Sequence, residues 1–180
     1  HWNDNTVVVL SLSKLGLPGL RTGIVVAREE IVAAFARANT ILSLACGNTG
    51  PALATALLDH GELLPLAREH IAPFYRDRAT RALDALRHEI AGLPCRIHKA
   101  EGAMFLWLWC EGIPGGSHAL YQRLKQRGVL VVPGRDFFPG LAGPWEHRDE
   151  CLRISYAQDE ERVRAGIAII GDELRRSYGG

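Results

Sequence analysis

Two apolar runs, TVVVL at residues 6–10 and GIVVA at residues 23–27, bracket a lysine-bearing loop, SLSKLGLPGLRTG, at residues 11–23. Runs this short, rich in β-branched residues and without polar alternation, predict strands covered on both faces of a sheet. A lysine set between two such strands constrains the chain severely, because an ammonium group taken out of water without compensation is costly. Lys14 must therefore meet an anion or be converted into an uncharged species. An amine that joins an aldehyde as an imine loses its charge in that second way. The neighbours suit an anion beside such a group: Ser11 and Ser13 offer hydroxyl donors, and Arg21 offers a planar fork matched to a phosphate. Gly16 and Gly19 let the backbone turn tightly, and Pro18 stiffens the loop between them. The plainer alternative is a lysine that snorkels from a strand end while Arg21 pairs with a carboxylate.

Beyond the loop, residues 29–45 carry Ile31, Ala34, Phe35, Ala38, Ile41 and Leu42 at helical spacing, and CGNTGP at residues 46–51 interrupts them. Residues 52–58 predict a short helix and residues 62–91 a long one, with Pro65 near its first turn and Pro73 placed to kink or divide it. Gly92-Leu-Pro94 then reads as a connector to a second, smaller α/β lobe. There, strands are predicted at residues 95–98, 103–110, 129–132 and 151–156. A helix capped by Ser117 and ended by Gly128 lies among them, and a last helix begins near Asp159 with Val163, Ile167, Ile170 and Leu174 along one face.

With 47% hydrophobic and 23% charged residues, the 180-residue chain has an ordinary globular composition. A net charge of +1 gives no field suited to nucleic acid, and no apolar window approaches the roughly 18 residues of a membrane helix. Cys46, Cys95, Cys110 and Cys151 are scattered without a CxxC pair and read as reduced thiols of a cytoplasmic protein. His60, His70, His88, His98, His118 and His147 lack metal-ligand spacing, so no metal is expected. The opening HWNDNTVVVL, with no initiator methionine, leader or tag, reads as a segment of a longer protein.

The loop SLSKLGLPGLRTG resembles the pyridoxal-phosphate lysine motif of the class I/II aminotransferases, fold type I. Three further stretches are similar to that family: EGAMFLWLWC (residues 101–110), GVLVVPGRDFF (128–138) and CLRISYA (151–157). SKLGLPG, HKAEGAMFLWLW, LYQRLKQRGVLVVPG and FFPGLAGPW resemble its valine–pyruvate branch in particular. The resemblance implies an α/β fold: the C-terminal portion of a PLP-dependent transferase of fold type I, made of the end of the large-domain sheet and a small C-terminal α/β domain. It implies three regions: 1–61 as the C-terminal part of the large cofactor-binding domain, 62–94 as a long connecting helix region, and 95–180 as the small domain. Lys14 is then the residue that joins pyridoxal 5'-phosphate, Ser11 and Arg21 hold its phosphate, and Ser13 adds a donor. Arg153 binds the substrate carboxylate from a strand whose neighbours Leu152 and Ile154 point the other way. Phe105 is a candidate wall of the substrate pocket, although an aromatic in a strand is also ordinary core, and Asn48 is a candidate contact in a loop directed to the other subunit's site. Arg135 reads as a solvated loop residue or a contact to substrate or partner chain.

The implied partners are amino-acid and 2-oxo-acid substrates and a second copy in a homodimer, with no nucleic acid and no membrane. The implied reaction exchanges the amino group between L-valine and pyruvate. The acid at the pyridine nitrogen, the ring-stacking aromatic and further phosphate donors are not assignable before Lys14, so the 180 residues alone are expected to be inactive. One departure stands out: six residues separate Lys14 from Arg21, one fewer than the usual family loop. Alternatives are another aminotransferase specificity or a carbon–sulfur lyase on the same frame, or an aminotransferase-like effector domain of a transcription regulator. SLSK also satisfies the S-x-x-K pattern of serine β-lactamases, but the companion S-D-N and K-T-G elements do not occur.

Overall fold

The computed structural model describes residues 3–44, 47–102, 104–141 and 143–179, so expectations for Ala45, Cys46 and Ala103 lie outside the described residues. The chain forms two compact units, His1–Pro73 and Phe74–Gly180.

In the first unit, β1 (Val8–Ser11) and β2 (Gly23–Val26) pair antiparallel, with Val8 opposite Val26 and Ser11 opposite Gly23. Both runs are strands, as their composition predicts, but they form a two-stranded ribbon whose faces are not covered: Val9 is 67% exposed. The apolar run reports what a strand is suited to pack against, and no such layer lies among the described residues of this unit. Helix α1 (Glu29–Ser43) follows the expected span, with Phe35, Ile41 and Leu42 exposed along it. Helix α2 (Thr49–Asp59) starts three residues before its predicted first residue, inside the glycine-rich break. The buried centre of the unit is Leu12, Ala54 and Leu63, with Leu15, Leu17, Ile24 and Leu57 packed around them.

The long helical stretch begins at α3 (Leu63–Leu66), widens into a π turn over Ala67–Ile71, and continues as α4 (Ala72–Glu89). Proline at 73 cannot donate to the carbonyl four residues back, and its ring would crowd that carbonyl. The π turn, in which the Ala72 N–H bonds Ala67 O, lengthens the repeat immediately before the proline and lets the helix run on.

The second unit is an antiparallel four-stranded sheet in the order β3 (Cys95–Ile97), β4 (Phe105–Cys110), β6 (Cys151–Ser155), β5 (Val132–Pro133). Its helices are nearly all of α4, then α5 (Gly116–Gln126), the single turn α6 (Glu146–Asp149) and α7 (Glu160–Gly179). Leu106, Leu108, Cys110, Leu152 and Ile154 face a core shared with Leu86 of α4, Leu120 and Leu124 of α5, and Ile167, Ile170 and Leu174 of α7. Helix α5 starts differently from the prediction. Gly115 and Gly116 take left-handed φ of 77° and 74°, and Ser117 lies inside the first turn, where its buried hydroxyl has no hydrogen-bond partner among the described residues. Two consecutive left-handed residues bring the chain into the helix a step early, so Gly115 occupies the cap. Gly128 ends α5 as expected, at φ 80°, its N–H bonding Lys125 O and that of Val129 bonding Leu124 O. This C-cap takes up Gly128 and Val129, so the ladder of β5 begins only at Val132, later than predicted. Glu150 fixes the far end of β4, accepting from Trp109 Nε1 at 2.7 Å and from Gly112 N at 2.8 Å. No helix among the described residues is long and apolar enough to cross a membrane.

Candidate active site

In the first unit the lysine loop is built from two short 3₁₀ turns. Ser11 caps the first, Leu12–Leu15, its hydroxyl oxygen accepting the Ser13 N–H at 3.3 Å. That bond uses a lone pair and leaves the Ser11 O–H as a donor. Leu12, fully buried, anchors the turn, while Ser11 and Lys14 are exposed and Ser13 is half-buried. The expectation of a buried Lys14 is therefore corrected: its backbone turn is anchored in the small core, but the residue itself faces outward because the ribbon beside it carries no second layer among the described residues.

Gly16 closes this turn at φ 95°, where a Cβ would come within 2.7 Å of the Ile71 side chain. The second turn, Pro18–Leu20, ends at Arg21, whose φ of 48° is left-handed and uncommon for a residue with a side chain. With these two left-handed residues the loop returns in register, Leu12 N bonding Thr22 O at 3.2 Å. Thr22 Oγ1 donates to Leu20 O at 2.8 Å, and Gly50, in the first turn of α2, lies against both groups. A Cβ at Gly50 would meet Thr22 Oγ1 at 2.0 Å and Leu20 O at 2.7 Å, so the start of α2 braces the Arg21 segment only because residue 50 is glycine. Asn48 sits at the N-cap of α2, exposed and without a side-chain cap bond.

In the second unit the β4–β6 ladder sets Trp107 opposite Arg153 and Phe105 opposite Ser155. Leu152 and Ile154 are buried on the core face, and Arg153 is half-buried on the other, as alternation requires. Its guanidinium carbon lies 4.2 Å from the Phe105 ring centroid and 4.6 Å from that of Phe137. Phe105 is therefore a platform for Arg153 on the face away from the core. Phe137 is not apparent from sequence. It arrives through the 3₁₀ turn Gly134–Phe137, which sits on β6 because Gly134 has no side chain; a Cβ there would lie 2.6 Å from the Cys151 Cβ. The available signal is GRDFF directly after an apolar run. Trp107 meets the Phe137 ring edge-on at 5.4 Å, completing an aromatic group around the arginine. Arg135 pairs with Asp149 at 3.1 Å, and Arg148 with the same carboxylate at 3.3 Å, so Arg135 serves as a local tie. Among the described residues no cluster of His, Cys, Asp or Glu could hold a metal.

The donor chemistry of the loop fits a phosphorylated aldehyde. One stretch of two turns carries a primary amine, three hydroxyls (Ser11, Ser13 and Thr22) and a guanidinium, with no carboxylate among its residues 11–23. The aromatic-backed guanidinium of Arg153 suits a planar carboxylate.

The model of the family described as aminotransferase class I and II matches residues 2–170. The chain is 46% identical over 98% of its length to the valine–pyruvate aminotransferase of Escherichia coli (strain K12), covering 42% of that protein. Its structure aligns with a valine-pyruvate aminotransferase from Salmonella typhimurium at a TM-score of 0.90 and 44% identity, over 99% of this chain and 46% of the other. It also aligns with LysN, an α-aminoadipate aminotransferase of Thermus thermophilus complexed with N-(5'-phosphopyridoxyl)-L-leucine. That match has a TM-score of 0.76 and 28% identity, over 96% of this chain and 42% of the other. The chain thus spans less than half the length of each of these relatives.

Proposed function

This chain belongs to the class I and II aminotransferase family, and from that premise we propose that it carries the lysine loop and the carboxylate-binding arginine of a valine–pyruvate aminotransferase. The reaction converts L-valine and pyruvate into 2-oxoisovalerate and L-alanine. The observation that carries the substrate class is the 46% identity over nearly the whole chain to the Escherichia coli protein of that name. We assign residues 1–61 to the end of the large domain, 62–94 to the connector and 95–180 to the small domain. The working unit is a homodimer in the cytoplasm.

Pyridoxal 5'-phosphate, when bound, supplies an aldehyde for amines and an electron-withdrawing ring that acidifies the substrate Cα. The protein supplies position and protons. Ser11, Ser13 and Arg21 would hold the phosphate, the serines as single donors and the arginine as a charged fork. Lys14 Nζ would be the amine that holds the cofactor through its aldehyde carbon, to be displaced by a substrate amine. Once displaced, Lys14 Nζ would accept the proton from the substrate Cα as a general base and deliver it to C4′ of the cofactor as a general acid, and the second half-reaction would run the same transfer in reverse. Arg153 orients the carboxylate, Phe105 backs that arginine, and Asn48 adds a polar contact. An apolar pocket separates valine from alanine by about 1–3 kcal/mol per methyl group, which suits an enzyme that must take both.

The test is borohydride reduction of the purified full chain loaded with pyridoxal 5'-phosphate, followed by peptide mapping. The chain has three lysines, Lys14, Lys99 and Lys125, and the pyridoxyl group is expected on Lys14 alone. Label on either of the other two overturns the assignment. Ammonia release without a 2-oxo-acid acceptor would redirect the function to a lyase.

A further inference from the structure

Cys95 and Cys110 stand directly opposite each other in the β3–β4 ladder. The type of pair follows from the neighbouring bonds. His98 N bonds Trp107 O at 2.9 Å, and alternation along an antiparallel ladder then makes Cys95–Cys110 a non-hydrogen-bonded pair. Cα atoms of such pairs lie about 4.5 Å apart, with Cβ atoms closer than in the alternate pairs. That separation is at the short end of the range of about 4.4–6.8 Å which disulfides span. Both side chains face the core: Cys110 is fully buried, and Cys95 is half-buried on the edge strand.

The two thiols face each other across the ladder. Hydrogen bonding from the facing Cys110 thiol draws the Cys95 thiol below its usual range, against the opposing effect of burial. The facing Cys95 thiol, with burial, pushes the Cys110 thiol far up. Tyr178 belongs to α7 and bonds Glu111 O at 2.9 Å, placing its hydroxyl at the end of the β4 edge pair. Cys151 is next to this pair along the sheet but is buried, and burial pushes its thiol up to about 11.

We propose that Cys95 and Cys110 form a reversible cross-strand disulfide when the protein meets hydrogen peroxide. The Cys95 thiolate attacks the peroxide oxygen: an S–O bond forms, the O–O bond breaks, and with one proton the peroxide leaves water. The Cys110 sulfur then attacks the Cys95 sulfur. The S–S bond forms, the S–O bond breaks, and the departing hydroxide takes the Cys110 proton as a second water. Two thiols lose two electrons and the peroxide gains them. The edge strand supplies access for the first step, and the register supplies the partner for the second. This site does not depend on the aminotransferase reading, because every group in it belongs to the β3–β4 pair and the helix beside it.

The experiment treats the purified full chain with a small excess of hydrogen peroxide, blocks remaining thiols by alkylation, and maps peptides by mass. The expected product is monomeric in its crosslink, lighter by two hydrogen atoms, with residues 95 and 110 joined and full recovery of both thiols in dithiothreitol. Cys151→Ser is expected to leave this product unchanged. Cys95→Ser and Cys95→Ala are expected to abolish it, their folding checked by near-ultraviolet circular dichroism. The proposal is overturned if Cys95 proceeds to sulfinic acid while Cys110 stays a thiol, or if the bond maps to Cys46, to Cys151 or between molecules. It is equally overturned if both cysteines are alkylated after treatment.

Discussion

The two units of this chain apply the same local rules to different ends. In Phe74–Gly180 the central strand β4 alternates cleanly, and its inner residues with those of β6 meet α4, α5 and α7 in one continuous core. In His1–Pro73 equally apolar strands and an equally periodic helix bury only Leu12, Ala54 and Leu63 among the described hydrophobic residues, while Val9, Phe35 and Leu42 stay exposed. Yet the more exposed unit contains the more specified backbone. Its loop has two left-handed positions and a serine-capped turn, and the neighbouring helix rests on it through Gly50. Shape in the second unit comes from side chains filling a volume, and in the first it comes from backbone groups that tolerate no added atom.

That contrast can be broken at three points. Leu108→Ala in the core of the second unit is expected to cost about 2–5 kcal/mol in a urea unfolding curve, because Leu108 is fully buried and its truncation leaves a cavity. The matching truncation Val9→Ala in the ribbon is expected to stay within about 0.5 kcal/mol. Equal losses would show that the ribbon is covered after all. Next in size is Gly50→Ala, whose Cβ cannot coexist with Thr22 Oγ1 at 2.0 Å. It is expected to cost about 1–3 kcal/mol as overpacking does, with faster amide hydrogen exchange confined to residues 12–23. Exchange unchanged in that loop would remove the brace between α2 and Arg21. The smallest effect belongs to Ser117→Ala, which deletes a buried hydroxyl that has no partner among the described residues. It is expected to be neutral or stabilising by up to about 1 kcal/mol, and a clear loss of melting temperature would mean that the hydroxyl is bonded in solution.

How much could be read beforehand follows from the same contrast. The spacing of Val163, Ile167, Ile170 and Leu174 identified the buried stripe of α7, since a helix packed on a sheet states its inner face in its period. Gly128 was legible as a helix end because a Schellman turn needs a left-handed residue. Composition could not report that TVVVL would lie in an uncovered ribbon, because a strand's apolarity names the neighbour it suits and not whether one is present. Ser117 misled as a cap because Gly115-Gly116 could enter the helix first. In the site, Lys14, Ser11, Ser13 and Arg21 were visible as one motif because they are close in sequence. Phe137 was not, because it reaches Arg153 through a turn whose approach depends on Gly134 against Cys151, a contact between segments well separated in sequence.

Glu173 has a consequence of another kind. It is a carboxylate with only 7% of its side chain exposed, held by Arg123 at 2.7 Å and Arg127 at 3.1 Å, both on or at the end of α5. The apolar stripe of α7 nearly repeats every turn, so the stripe by itself discriminates weakly against a displacement of the helix along its axis by about 5.4 Å. Such a slide would leave the carboxylate sealed from water and away from both guanidinium groups, at a cost of several kcal/mol. The ion cluster thus acts as a vernier: it distinguishes between alignments that the hydrophobic residues would treat as nearly equal, and it permits one.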